Sequence, residues 1–277
     1  MQIVGVEFAN MKGKIFSILI VLTAAISAEG QTQAGGAKAG IGRVFDGAAR
    51  SAAARGVQQK LNSGLLKAAV AKSKTRKSRS TTVRQPSSTA TARRPSPTPV
   101  TPSDAAGPSY TDFRPATGTD FVERFASALS TNPTEKELVR QLVSITRNEF
   151  EKEVSKRGRA NNLAAALTFF VASTVTVYHN DPEPSDQAID ELWDGLNETL
   201  NGVPEISRLT DAEKQEMYEM LVACGGLVLA GHVLSKEGGD ANSAAIYRQL
   251  AGELIKTVLQ VEPDKVRFNS GGLNIAA

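Results

Sequence analysis

Cysteine occurs once, histidine twice and tryptophan once in 277 residues, and aromatic side chains make up only 5%. One Cys excludes an intrachain disulfide framework, and one Cys with two His cannot furnish a zinc site built mainly from those ligands. The chain has no GxxxxGK[ST] loop, no HExxH pair, no GxSxG elbow and no SxxK pair. The common nucleotide-binding enzymes, zinc peptidases and serine hydrolases are therefore disfavoured. Gly35 to Gly40 is glycine-rich but lacks the strand and helix context of a phosphate cradle.

What is present starts with an export pattern. Lys12 and Lys14 precede a twelve-residue apolar stretch from Ile15 to Ile26, followed by the small residues Ser27 and Ala28. Basic, apolar and small segments in that order describe a signal peptide over residues 1–28. The stretch is short of the roughly 20 apolar residues a spanning helix needs, so an integral membrane protein is not expected. Glu7 ahead of the lysines is unusual for such a leader, which makes Met11 a candidate initiator. The expected location is periplasmic or extracellular, and Cys224 standing alone fits an oxidising compartment.

The net charge of +3 hides an asymmetry: residues 29–118 carry 15 Lys and Arg against 4 Asp and Glu, whereas residues 119–277 carry 15 against 24. Residues 29–71 are Ala-rich and basic, and their propensities favour a marginal helix, read here as a solvated spacer rather than an anchor. Residues 72–118 are dominated by Ser, Thr, Pro and Arg. Such a linker buries too little apolar surface to offset its backbone entropy and is expected to be disordered. Its charge suits an anionic envelope surface; without interleaved aromatics, and beyond the membrane, nucleic acid is not an expected partner.

From residue 119 the apolar positions recur with helical period, predicting an all-α bundle of about six helices over 119–277. Thr119, Thr134 with Glu137, Asn161 or Asn162, Ser185, and Thr210 with Glu213 are the start signals; Gly158, Gly202 and Gly238–Gly239 are the stops. The stretches near 163–178 and 220–234 are apolar nearly all round, which places them at the centre. Gly225, Gly226 and Gly231 would let backbones approach there. A last extended segment, around Lys265 to Ile275, is expected across the bundle.

The order of short motifs resembles a known family. Asn161-Asn162-Leu163-Ala164-Ala165-Ala166 opens an apolar helix, Leu209-Thr210-Asp211-Ala212-Glu213 opens another, and Glu262-Pro263-Asp264, Lys265-Val266-Arg267-Phe268 and Gly272-Leu273 follow. This pattern is similar to the bacterial exported helical proteins grouped as domain of unknown function 6683. The resemblance implies a signal peptide, a variable linker and a helical domain, and brings no activity, cofactor or catalytic residues.

Chemistry-bearing residues are few. His179 with Asp181 could bind a metal or move protons, although a polar turn around Pro182 and Pro184 explains them equally. Asp190 and Asp194 share a helix face and could serve acid–base work on a glycosidic bond; a solvated acidic face is the plainer reading. Cys224 and His232 stand about 12 Å apart along one helix, too far for a thiol–imidazole pair. Trp193 is expected in the core. No cofactor or metal is expected, and no catalytic residue can be named. The sequence reads best as an exported, non-catalytic interaction module whose partner is an unidentified protein or envelope polymer. An envelope hydrolase using acidic residues and a self-associating structural protein are the alternatives.

Overall fold

The computed structural model describes residues 66–72, 109–117, 120–270 and 272–276. The export pattern and most of the linker lie outside them. In chain order the described helices are α1 (residues 66–72), α2 (Phe121–Leu129), α3 (Pro133–Lys156), α4 (Leu163–His179), α5 (Asp186–Asn201), α6 (Pro204–Arg208), α7 (Asp211–Glu237) and α8 (Ala241–Leu254). A hairpin of β1 (Val266–Asn269) and β2 (Gly272–Ile275) follows, with Val266 opposite Ile275 and Asn269 opposite Gly272.

Most start signals act as their chemistry requires. Thr210 and Glu213 close a reciprocal box: the Glu213 N–H donates to Thr210 Oγ1 at 3.3 Å, and the Thr210 N–H donates to Glu213 Oε2 at 2.8 Å. Ser185 accepts from the Ala188 N–H, and Asn162 from the Ala165 N–H. Thr134 and Glu137 do not form a box. Asn132 caps α3 instead, accepting from the Thr134 N–H at 2.9 Å, with Pro133 at the first helical position. Proline suits that place because its missing N–H would have been unpaired anyway. Thr119 is outside the described residues, and Asp120 precedes α2 without a side-chain cap.

The two apolar helices are central. Every residue of α4 from Leu163 to Val177 is buried, and α7 is buried through most of its length. At 27 residues α7 is long and apolar enough to cross a membrane, but 83% of its apolar window is buried inside the bundle. Its glycines admit three different neighbours. A Cβ on Gly225 would lie 3.3 Å from the Phe170 Cα of α4, one on Gly226 2.3 Å from the Thr146 methyl of α3, and one on Gly231 2.2 Å from the Tyr247 ring of α8. In α8, Ala244 is buried and Ala245 exposed. The end of α8 widens into a π turn over Ile255–Leu259, which re-phases Val258 and Leu259 onto the core.

The core reaches further toward the N-terminus than a boundary at residue 119 allows. Leu66, Ala69 and Val70 of α1 are buried, so this end of the Ala-rich segment is packed rather than a solvated spacer. Ala69 lies so close to Gly195 that a Cβ there would sit 2.3 Å from the Ala69 carbonyl oxygen. Residues 109–117, at the end of the linker expected to be disordered, are an ordered arm. Phe113 is buried against Tyr218 at 5.2 Å between ring centroids, the Phe113 N–H donates to the Asn161 carbonyl, and the Leu163 N–H donates to the Thr111 carbonyl. One apolar ring in a polar run suffices, because the backbone groups on both sides find partners on the bundle.

Candidate functional site

His179 and Asp181 end α4 and enter the turn beyond it, and both are committed to the C-terminal hairpin. The His179 Nε2–H donates to the Val266 carbonyl at 2.7 Å. Asp181 takes a two-pronged ion pair from Arg267, Nε to Oδ2 at 2.8 Å and Nη2 to Oδ1 at 2.7 Å. The hydrogen bond from Arg267 holds the Asp181 carboxyl below its ordinary range. Next to them, the Tyr178 hydroxyl donates to Asp264 at 2.8 Å. These residues latch β1 to the bundle.

Asp190 is engaged by two guanidinium groups. Arg157 Nη1 donates to its Oδ1 at 2.8 Å and Arg159 Nη1 to the same oxygen at 2.7 Å, while Arg157 Nη2 reaches Asp186 at 2.8 Å. Burial acts to lower the Arg157 pKa, and the pairs with Asp186 and Asp190 outweigh it, leaving it above its ordinary value. This cluster ties the end of α3 to the start of α5. Asp194, one turn further along α5, is half-buried. Asp190 is thus held in ion pairs with Arg157 and Arg159.

Cys224 is fully buried, and burial raises its thiol pKa far above the ordinary value. It is a core side chain. His232 is held between Asn180 Oδ1 at 3.1 Å and the Ala244 carbonyl at 3.4 Å. Burial, partly opposed by the Ala244 contact, lowers its pKa. Among the described residues no group of three or more His, Cys, Asp or Glu is placed to hold a metal ion.

The arginine cluster borders a feature that the candidate list did not contain. Between α3, α4 and α5 lies an open cleft of about 600 Å³, solvent space at its mouth included. Its wall is apolar, from Phe150 and Val154 of α3, Phe169 of α4, and Ile189 and Trp193 of α5. Its charged residues are Glu153, Arg157, Arg159, Glu183 and Asp186. Trp193 is therefore half-buried, packed against the core with a face at the cleft. The Arg159 guanidinium lies over its ring, 4.0 Å from the centroid, a cation–π contact. Both arginines are held in ion pairs, whereas Glu153 Oε1 is buried with no hydrogen-bond donor. Its nearest cation is Arg157 Nε at 3.7 Å, beyond hydrogen-bond reach.

Helix periodicity hid this cleft: Phe150, Val154, Ile189 and Trp193 follow the inward stripe that normally denotes core. The cleft is bordered by the loop carrying Arg159 and the turn carrying Glu183 and Pro184. The signal available in sequence was Arg157 and Arg159 just before the Asn161–Asn162 turn; Trp193 joins them only through the fold. That turn positions one wall. Asn161 takes a left-handed backbone conformation with φ of 51°. The buried Asn162 amide donates to Thr111 Oγ1 at 2.9 Å and to Asp112 Oδ1 at 2.6 Å, and Asn162 Oδ1 accepts from the Trp193 indole at 3.4 Å. The motif that carried the family resemblance is thus a structural junction joining the N-terminal arm, α4 and α5.

Neither the curated proteins nor the solved structures contain a match to the chain. A family described only as a family of unknown function, DUF6683, matches residues 12–276, including the elements that wall the cleft. By a match of that extent, the chain belongs to the DUF6683 family of unknown function.

Proposed function

We propose that the protein is an exported, non-catalytic binding module whose recognition face is the cleft between α3, α4 and α5. The observation that carries this reading is the cleft's division of labour. The half-buried Ile189 and Trp193 line the cleft over the buried Phe150, Val154 and Phe169, while Asp190, an acid suggestive of hydrolysis in sequence, spends its Oδ1 on Arg157 and Arg159. A concave apolar surface with a few placed polar groups is the ordinary form of a binding site. Export rests on the Lys12 to Ala28 pattern. The basic residues of the N-terminal third would hold the module near anionic envelope polymers by salt-sensitive attraction.

A photo-reactive residue at Ile189 in the full chain, used in intact cells, tests the reading against the same residue placed at the exposed Lys152 of α3. Cross-linking to one partner from position 189 and not from 152 is expected. Release of soluble sugars from isolated cell wall, lost in Asp190→Asn, would replace the binding module with a hydrolase.

A further inference from the structure

We infer that the arm at residues 109–117 is a strap that sets the cleft, so that seating the arm and shaping the cleft are one equilibrium. Two separate runs of side chains lead from the arm to residues that line the cleft. The first is polar. Thr111 Oγ1 and Asp112 Oδ1 accept from the Asn162 amide at 2.9 Å and 2.6 Å, and Asn162 Oδ1 accepts from the Trp193 indole at 3.4 Å. The Thr111 hydroxyl also donates to Asn197 Oδ1 at 2.6 Å, one turn beyond Trp193 on α5. The second run is aromatic. Phe113 meets Tyr218 of α7 at 5.2 Å between ring centroids, Tyr218 meets Phe150 of α3 at 5.7 Å, and Phe150 meets Phe169 of α4 at 5.0 Å. Phe150 and Phe169 lie at the base of the cleft, and Trp193 lines it.

The arm is the element able to move. Only Thr111 and Phe113 of residues 109–117 are buried, whereas α4 and α7 carry the core. A segment with so few buried contacts opens at far less cost than the whole fold. Lifting it takes Thr111 and Asp112 from the Asn162 amide, which lets that side chain turn away from the indole. It also takes the Phe113 ring from Tyr218, and close-packed rings pass such a loss to the next neighbour, here Phe150. The seated arm therefore holds Trp193 and Phe150 in place, and by linkage whatever favours that form of the cleft favours the seated arm by the same factor. Control of binding by the arm rests on reading the cleft as the binding face; the coupling itself is measured without a ligand.

Trp193 is the chain's only tryptophan, so acrylamide quenching of its emission in the full-length protein reads the cleft, while hydrogen exchange of residues 109–117 reads the arm. Phe113→Ala perturbs the aromatic run and Thr111→Val the polar one, and neither residue is bonded to Trp193 directly. Each is expected to raise arm exchange about fivefold or more and quenching of Trp193 about twofold. Tyr110→Ala, which removes an exposed ring and keeps the backbone N–H bonded to Asn201, is expected to change neither. In the reverse direction, Trp193→Phe keeps a ring and removes the indole donor, and is expected to raise arm exchange about twofold. Unchanged exchange in α7 shows that the bundle is intact; where Phe113→Ala fails to fold, Thr111→Val and Trp193→Phe carry the test.

Arm exchange that rises while Trp193 quenching stays the same overturns the inference. So does arm exchange that Trp193→Phe leaves unaltered, or that neither arm variant raises. Coupling without any cross-link from position 189 keeps the strap and removes the proposed function. A cross-link from 189 without coupling does the reverse.

Discussion

Replacing Gly195 by Ala separates the packing of α1 from that of the bundle. Gly195 lies inside α5, where alanine favours the helix by about 1 kcal/mol. The new methyl would, however, sit 2.3 Å from the Ala69 carbonyl oxygen of α1, against about 3.3 Å for a close carbon–oxygen contact. A backbone carbonyl cannot rotate away as a side chain does, so α1 must lift by about 1 Å. A gap of that size forfeits a quarter to a half of the contact energy it opens. Burying Leu66 and Val70 is worth about 1.5–3 kcal/mol each, so the loss is about 1–3 kcal/mol and falls on α1 alone. The exposed Lys72–Glu198 pair at 3.1 Å adds too little to hold the helix down. Hydrogen exchange read by mass spectrometry should show residues 66–72 opening about 5- to 150-fold more often. The denaturation midpoint of the bundle should stay the same or rise. A lower midpoint with unchanged exchange in α1 would refute the assignment, because the clash would then be borne by the core.

Gly226→Ala places a methyl 2.3 Å from the Thr146 methyl and should destabilise by about 1–3 kcal/mol; adding Thr146→Ser should recover part of that in a double-mutant denaturation cycle. Asn162→Ala removes the α4 cap, the tie from its amide to Thr111 and Asp112, and the acceptor of the Trp193 indole. It should cost about 2–4 kcal/mol and expose residues 109–117 to proteolysis. The Asp181–Arg267 pair gives the hairpin a pH dependence of definite sign. The Asp181 pKa is lowered in the fold, so its contribution is complete above the unfolded value of about 3.9 and is lost as pH falls through the folded value. Amide protection of residues 266–275 should decline first below about pH 4, and the effect should vanish in Asp181→Asn. His232 works from the opposite charge: its folded pKa is lowered, so the unfolded chain takes up the proton first, and stability should fall as pH drops below about 6.5. A flat denaturation midpoint from pH 7 to 5.5 would contradict it.

Much of the bundle was legible in the chain because the signals are local. The box at Thr210 and Glu213, the cap at Ser185 and the stop at Gly158 depend on residues within one helical turn, and the all-round apolar composition of α4 and α7 can only be satisfied at the centre. The capping reading of Thr134 failed for a local reason as well, since Asn132 with Pro133 offered a better start. Family membership, too, followed from the order of short motifs.

Other features depended on residues far apart in sequence. The arm at 109–117 is polar on average, and only Asn161, Asn162 and Tyr218 make it worth ordering. His179 and Asp181 have the composition of a metal or proton site, yet Val266 and Arg267 turn them into a latch. Asp190 and Asp194 share a face of α5, but Arg157 and Arg159 arrive from α3 and its exit loop and engage Asp190. Periodicity specifies which side chains point inward, and therefore a core. Whether an inward stripe meets another helix or a gap depends on where loops hold the helix ends, and that made Trp193 and Ile189 the wall of a cleft. By itself the sequence determined the helices and the charge asymmetry, which are sums of local terms. Only the tertiary structure decided which charges are spent on one another, because those pairs join residues far apart in sequence.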